Sequence, residues 1–259
     1  MPYIKVPGHP KRLPLEIGLT LMANKGPSIP QIIQMLDWQD DTHQCIMVME
    51  RPLPCMDMFS FMELHGGSIN EATAQHVMRQ VVHAANVCCE RGVFHRDIKP
   101  ENLLVNQDTM EVKLIDFGCG ALMKKSGFKV FSGTEGYCPP EAKYNGKYHA
   151  KPTTVWSLGI LLLVMVCGNY PTAEDLFLIY ANTWSSPGLS QECCDMICAC
   201  LHPQPQKRLG LQKMHLHDWF KVVFFSFCCF FSLSISHKII INVSLSHICS
   251  KCNGFSLDK

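Results

Sequence analysis

A short polar run in the middle of the chain constrains its fold more than any other feature. Residues 95–102 read HRDIKPEN, and the segment that follows at 111–115 alternates in polarity like a strand. That segment ends in Asp116-Phe117-Gly118. A lone D-F-G occurs by chance in many proteins, but H-R-D-x-K-x-x-N followed by D-F-G on the next strand is highly specific.

Four side chains of these two motifs suit phosphoryl transfer. This reaction needs little covalent help from the protein, so catalysis consists mainly of positioning and of neutralising phosphate charge. Asp97 suits the base beside the attacking hydroxyl, and Lys99 can meet the transferring phosphate as a point charge. Asn102 and Asp116 offer the hard oxygen ligands that Mg²⁺ takes together with substrate phosphates. We therefore predict catalytic roles for all four residues, with Asn102 and Asp116 as metal ligands.

With Pro139-Pro140-Glu141 in the place of A-P-E, these motifs make the chain resemble a eukaryotic protein kinase from about Glu16 to Val222. The resemblance implies an α+β, protein-kinase-like bilobal fold with a truncated β-rich N-lobe and a mainly α-helical C-lobe. It predicts four regions: a partial N-lobe with helix C and the following strands at 1–49, a hinge at 50–54, a C-lobe at 55–222, and an apolar tail of unknown status at 223–259.

Finer features are similar to the Pim family of serine/threonine kinases. Residues 50–54 read ERPLP and place a proline, which has no N–H, where most kinases have a backbone donor to adenine. Residues 114–122, 155–160 and 166–168 also match that family, and Thr154 stands where most other kinases carry Asp. The resemblance implies ATP and Mg²⁺ as cofactors, with the Glu50 carbonyl keeping one hydrogen bond to adenine.

The same resemblance assigns nucleotide and substrate contacts. Glu16 matches the helix C glutamate, Met49 matches the gatekeeper, and Asp57 matches a ribose and substrate contact near the hinge. Thr134 matches the loop residue beside the substrate hydroxyl, which implies specificity for Ser or Thr rather than Tyr. Asp57 and Glu101 occupy acidic positions that favour basic residues upstream of the phosphoacceptor.

Two further residues are structural predictions. Glu141 and Arg208 match a buried ion pair that ties the activation segment to the lower lobe. Removing one partner of such a pair costs about 3 to 5 kcal/mol, because the other charge is left buried and unpaired.

Two parts of the family pattern are missing before Glu16. There is no glycine-rich loop, and the only G-x-G near the site, at 118–120, already belongs to D-F-G. Lys5 imitates the ATP lysine, yet it lies 11 residues before Glu16, with prolines and a glycine between that do not favour a strand. Without this loop and lysine the phosphates of ATP are less well positioned and their charge is less well stabilised. We therefore predict that this chain transfers phosphate slowly or not at all.

Two functions therefore stay open. The first is an ATP- and Mg²⁺-dependent serine/threonine kinase of protein substrates, and the second is a non-catalytic, pseudokinase-like interaction module. Intact Asp97, Asn102 and Asp116 favour the first, because a binding module has no physical need of all three.

Composition adds limits on partners and compartment. The chain is 47% hydrophobic and 17% charged, with a formal net charge of +1, so it can bury a core and has no overall attraction to nucleic acid or an anionic membrane. Its 15 cysteines show no disulfide framework, and residues 1–14 carry Lys and Pro where a signal peptide would have its apolar segment, so we do not expect export. We expect reduced thiols, a monomer, no nucleic-acid partner and a cytoplasmic location, and an additional nuclear location stays open. The apolar run 222–235 spans roughly 21 Å, short of the roughly 30 Å of a bilayer core, so we expect no membrane anchor.

Hydrophobic periodicity predicts the main elements. A long amphipathic helix is capped by Asn70 and stops at Gly92, and a helix at 155–167 is apolar nearly all round, as in the middle of a core. Shorter elements are predicted in five places: helices at 13–23 and 190–201, and strands at 44–49, 102–105 and 111–115. Trp219 and Phe220 are expected to anchor a last helix.

Overall fold

The computed structural model describes residues 2–40, 45–222 and, for the backbone alone, 241–244. The first half of the described chain mixes short strands with helices, and from Pro140 to Val222 it is helical or irregular. The strands are β1 Tyr3–Lys5, β2 Arg12–Pro14, β3 Met35–Asp40, β4 Cys45–Met49, β5 Cys55–Asp57, β6 Val93–Phe94, β7 Leu103–Asn106, β8 Val112–Leu114, β9 Ala121–Leu122 and β10 Ile241–Ser244. The α-helices are α1 Leu15–Ala23, α2 Met58–Leu64, α3 Glu71–Glu90, α4 Pro140–Tyr144, α5 Ala150–Cys167, α6 Ala173–Tyr180 and α7 Gln191–Cys200. Short 3-10 turns lie at Pro100–Asn102, Glu135–Tyr137, Pro205–Lys207, Leu211–Leu216 and Asp218–Lys221.

The N-terminal part packs α1 beside a small sheet. Antiparallel strands pair in the order β10-β4-β3, so β4 has a neighbour on each side. The predicted helix at 13–23 begins at Leu15, because Leu13 and Pro14 pair with β1 instead. The predicted buried strand is β4, but within it only Met47 is fully buried, since one face alone meets the core.

A second sheet, β5-β7-β8, carries the two motifs to one place. In the antiparallel β7–β8 pair Leu103 lies opposite Leu114, so the residues just outside the pair, Asn102 and Ile115, are also adjacent. The Ile115 N–H donates to the Asn102 carbonyl at 3.0 Å. The predicted strand at 102–105 starts one residue later, because Asn102 closes the 3-10 turn that Pro100 opens.

The core of the part of the chain after β5 is built on α3, α5 and α7. As predicted, Asn70 caps α3, with its side-chain oxygen accepting from the Thr73 N–H at 2.9 Å, and the chain turns at Gly92 with φ of 80°. Helix α5 starts at Ala150, before the predicted 155, and is buried along most of its length. It is long and apolar enough to cross a membrane, but 78% of that stretch is buried inside the protein, as in the core helix of a globular domain.

The end of the described chain differs from its prediction. Trp219 and Phe220 lie in the 3-10 turn Asp218–Lys221 rather than in a helix. Trp219 is nevertheless fully buried, and its indole N–H donates to Glu71 at the start of α3 at 2.8 Å. The predicted tail at 223–259 lies outside the described residues apart from the backbone of β10, which pairs with β4.

Candidate active site

Asp97 lies in the buried loop between β6 and the turn Pro100–Asn102. Thr134 donates to its Oδ1 twice, from the backbone N–H at 2.9 Å and from Oγ1 at 2.7 Å. On the other oxygen, Oδ2, Lys99 Nζ lies at 3.1 Å and Asn102 Nδ2 donates at 3.1 Å. Lys99 Nζ also donates to Thr134 Oγ1 at 2.8 Å, so these four residues form one hydrogen-bonded cluster.

The two charges in this cluster, on Asp97 and Lys99, have opposite signs and stabilise each other. Burial acts to raise the pKa of Asp97, but the hydrogen bonds from Thr134 and the charge of Lys99 outweigh it and leave the pKa below its usual value. Burial likewise acts to lower the pKa of Lys99, and the charge of Asp97 reverses the effect, so the pKa of Lys99 is raised. At neutral pH Asp97 is therefore an ionised carboxylate and Lys99 an ammonium ion.

His95 links the two motifs. Its Nε2 donates to the Ile115 carbonyl at 3.0 Å, and its Nδ1 accepts from the Asp97 N–H at 3.3 Å. Burial lowers the pKa of His95, so the ring is neutral, as this pairing requires. The ring also meets Phe117 edge-on at a centroid distance of 4.8 Å. His95 is thus a positioning residue, which the sequence analysis left without a role.

Asn102 and Asp116 fit the metal role predicted for them. Asn102 turns Nδ2 towards the Asp97 carboxylate and carbonyl, and no described residue donates to its Oδ1. Asp116 has a left-handed backbone with φ of 61°, and its Oδ1 accepts from the Gly118 N–H at 3.0 Å. Among the described residues no group of three or more His, Cys, Asp or Glu could hold a metal unaided. Two oxygen-bearing side chains suit Mg²⁺, which takes its remaining ligands from phosphates and water.

Glu16 on α1 faces the same region without a cation. Burial and, to a smaller extent, the nearby charge of Asp116 together raise its pKa to about 7. In the described part of the chain no Lys or Arg forms an ion pair with Glu16. Tyr3–Lys5 does form a strand, contrary to the expectation, but Lys5 Nζ donates to the carbonyls of His9 and Pro10 at 2.9 and 3.0 Å.

The predicted nucleotide contacts near the hinge follow β4. Met49 ends the strand and is partly buried. The side chain of Glu50 is fixed, since its Oε1 accepts from the Gln34 N–H at 2.8 Å and lies 2.9 Å from Lys113 Nζ. No described residue donates to the Glu50 carbonyl, which leaves it free for the predicted hydrogen bond.

Asp57 has a structural task that the sequence analysis missed. It is the N-cap of α2, and it accepts from the N–H and the Oγ of Ser60 at 2.8 and 2.7 Å. The signal was an Asp placed just before an apolar helical run, which is the usual N-cap pattern. Glu101, the other predicted acidic contact, is exposed.

Glu141 and Arg208 form a buried ion pair. Arg208 donates from both terminal nitrogens to the two oxygens of Glu141, at 2.8 and 2.6 Å. It also donates to the carbonyls of His202 and Pro152, and its guanidinium lies 4.8 Å from the centre of the Trp156 ring. The pair joins α4 to the loop after α7 and to the start of α5.

The comparison with known families agrees with this geometry. The family model of the protein kinase domain matches residues 8–220. The chain belongs to the protein kinase family. This membership accounts for the α+β fold and for the H-R-D and D-F-G motifs meeting at one site.

Individual kinases place the chain near the Pim type. It is 40% identical over 220 residues to the serine/threonine-protein kinase pim-2 of Danio rerio, covering 83% of this chain and 71% of that protein. It is 34% identical over 215 residues to the serine/threonine-protein kinase prk-2 of Caenorhabditis elegans, covering 82% of this chain and 48% of that protein. Against the SNF-related serine/threonine-protein kinase of Homo sapiens it is 30% identical over 204 residues, covering 76% of this chain and 26% of that protein. The chain thus spans half or less of the last two relatives.

Proposed function

We propose that this chain transfers the γ-phosphate of ATP to serine or threonine hydroxyls of protein substrates, with Mg²⁺ held by Asn102 and Asp116. One observation carries the proposal: Asp97 is an ionised carboxylate fixed by Thr134, Lys99 and Asn102. A carboxylate in this state can accept the proton of an attacking hydroxyl. Bound Mg²⁺ would neutralise phosphate charge, as in other phosphoryl transfers.

Lys99 and Thr134 have complementary roles in the proposal. Lys99 is a cation within hydrogen-bond distance of both Asp97 and Thr134, so a phosphate approaching Asp97 meets a positive charge there. Thr134 holds one oxygen of Asp97 by two hydrogen bonds, which fixes the direction of the carboxylate. Both effects act on geometry and charge, which are the main sources of catalysis in phosphoryl transfer.

The proposed substrates carry basic residues before the phosphoacceptor. Glu101 supports this preference more strongly than Asp57, because Glu101 is exposed whereas both carboxylate oxygens of Asp57 accept hydrogen bonds from Ser60. An exposed carboxylate can pair with an arginine of a peptide at little cost, because neither charge is deeply buried.

The alternative function is a non-catalytic kinase-like module that binds partners. Glu16 favours it, since no cation among the described residues pairs with this carboxylate, and the sequence has no glycine-rich loop before it. Both absences remove stabilisation of the phosphates. We therefore expect transfer that is slow but depends on Asp97.

The experiment measures phosphate transfer from radiolabelled Mg·ATP to three peptides by the full chain. The first peptide, Arg–Ser, has Arg residues before a central Ser. The second, Ala–Ser, has Ala in place of those Arg residues, and the third has Tyr in place of the Ser. The proposal predicts slow labelling of the Arg–Ser peptide, weaker labelling of the Ala–Ser peptide and none of the Tyr peptide. The Glu101→Gln variant should label the Arg–Ser and Ala–Ser peptides at more similar rates than the parent chain does.

Two results would decide against parts of the proposal. Labelling no greater than in a protein-free control supports the non-catalytic module. Equal labelling of the Arg and Ala peptides removes the basic preference but leaves the kinase activity standing. Glu174→Gln, a change of an exposed acidic residue on α6, serves as the matched control for Glu101→Gln.

A further inference from the structure

A basic cavity lies apart from the hydrogen-bonded cluster around Asp97. It has a volume of about 370 Å³, and its lining joins the segment after β9 to the first turn of α5. Lys124 and Lys125 come from the first segment, and His149 and Lys151 from the second, with Met123 and Pro152 adding apolar surface. None of the residues that line it is acidic.

The charge around this cavity is concentrated and unbalanced. Residues 123–129 and 142–151 contain six lysines and no Asp or Glu, although the whole chain has a formal net charge of only +1. Within the described residues none of the lysines that line the cavity lies within 4.0 Å of a carboxylate. Lys124 instead lies 4.5 Å from the centre of the Phe128 ring. Like charges held together repel, so this arrangement gives the fold no evident stability.

The two segments are fixed to each other, so the cavity is preformed. The N–H of Phe128 donates to the Tyr148 carbonyl at 2.8 Å, and the N–H of Tyr148 donates back at 2.9 Å. Their rings stack with centroids 5.5 Å apart. A preformed site avoids the entropic cost of ordering two loops when a ligand binds.

We propose that this cavity binds a phosphorylated side chain of a partner protein. A phosphate monoester carries a charge of about −1.5 to −2 at pH 7 and three acceptor oxygens, so one group can meet lysines from both segments. The small size of the site suits a single phosphorylated side chain, whose stem can contact Met123 and Pro152. The chain as a whole has a formal net charge of only +1, so it has little general attraction to an anionic membrane, and nucleic acid would favour a longer basic track. The proposal does not depend on phosphate transfer by the chain.

The test measures binding of a fluorescent phosphoserine peptide library to the phosphatase-treated full chain by anisotropy, without ATP. The library has a central phosphoserine between randomised positions, and the same library with serine is the comparison. We expect saturable binding of the phosphorylated library that weakens at least about tenfold in the double variant Lys125→Glu, Lys151→Glu, because two charge-assisted contacts become repulsive. The matched control, Lys11→Glu with Lys213→Glu, changes two exposed lysines outside the cavity and should bind like the parent.

Several outcomes would overturn the proposal. One is equal binding of the phosphorylated and unphosphorylated libraries, and another is equal weakening by the two double variants, which would indicate unspecific charge attraction. Binding to vesicles with 30% phosphatidylserine that depends on Lys125 and Lys151, without binding of the phosphopeptides, would assign the surface to a membrane. Thermal melting of each variant separates a lost site from a lost fold, and Lys125→Gln with Lys151→Gln replaces any variant that fails to fold.

Discussion

Asp97 and Glu16 are two carboxylates of one site whose pKa values shift in opposite directions. Asp97 is buried but has Thr134, Lys99 and Asn102 as partners, so its pKa falls. Glu16 is partly buried beside Asp116 without a cation in the described chain, so its pKa rises to about 7. Burial acts to raise both pKa values, and it is outweighed only at Asp97, where hydrogen-bond donors and a cation face the carboxylate.

We predict that Glu16→Gln stabilises the protein at high pH and has little effect at low pH. The pKa of Glu16 is raised from 4.5 to about 7 in the folded chain, so the folded state binds more protons between these values and loses stability as the pH rises through them. Glutamine does not titrate, so the variant does not lose stability in this way as the pH rises. Thermal melting from pH 5 to pH 8 should show the variant melting close to the parent at pH 5 and above it at pH 8.

The control for this prediction is Glu63→Gln, at an exposed position on α2. Its melting should follow the parent at every pH. If the difference in melting temperature between Glu16→Gln and the parent stays constant from pH 5 to pH 8, the assignment of the raised pKa to Glu16 is contradicted.

At the level of single residues, the motifs predicted which side chains lie together but not what holds them in place. The residues of the H-R-D and D-F-G motifs lie together, because the motifs are specific to one geometry. The motif also contained His95, whose role became clear only from its bonds to Asp97 and Ile115. Asp57 was assigned from family position, which carries no information that the same carboxylate caps α2.

At the scale of elements, the ion pair of Glu141 and Arg208 joins α4 to the loop after α7. We predict that Arg208→Met lowers the free energy of unfolding by about 3 to 5 kcal/mol, because Glu141 is left buried without its partner. Lys207→Met, at the exposed neighbouring position, should change it by less than about 0.5 kcal/mol. Urea unfolding measures the change in the free energy of unfolding for both variants. A loss below about 1 kcal/mol for Arg208→Met would show that the ion pair is not needed for stability.

The contact of α5 with α7 gives a second prediction. A Cβ added at Gly159 would lie 2.7 Å from the Cys200 Cβ and 2.8 Å from a Leu201 methyl group. Gly159→Ala therefore should lower stability by about 1 to 3 kcal/mol through overpacking, although alanine favours a helix by about 1 kcal/mol. Gly210→Ala, with open space around the added Cβ, should be near neutral. Equal unfolding midpoints of the two variants in urea would contradict this close packing.

The existence of a helix with a strong hydrophobic pattern was easier to predict than the residues at which it begins and ends. Asn70 and Gly92 marked both ends of α3, because cap and stop residues bracket its apolar face. Helix α5 was placed too late, since its first turn contains Lys151 and Pro152, which break an apolar pattern but are tolerated at a helix start. Trp219 and Phe220 are buried through side-chain contacts, which do not require a helix.

At the scale of the whole molecule, family membership was predictable and the activity of this chain was not. The α+β kinase fold follows from motifs spread over residues 8–220. We expect activity to depend on charge at one place, where Asp97, Asn102 and Asp116 are present and Glu16 has no cation among the described residues. A sequence pattern records which residues occur, but the electrostatic balance comes from their distances and burial.

The proposed role of Asp97 as the catalytic base is tested most directly by a single-turnover measurement of phosphate transfer, with the chain in excess over radiolabelled Mg·ATP and a Ser peptide present. Asp97→Asn keeps the size of the side chain but cannot accept the proton as a carboxylate does. We expect slow formation of phosphopeptide by the parent chain and none above background by Asp97→Asn. Phosphopeptide formed at the same rate by both proteins would contradict it.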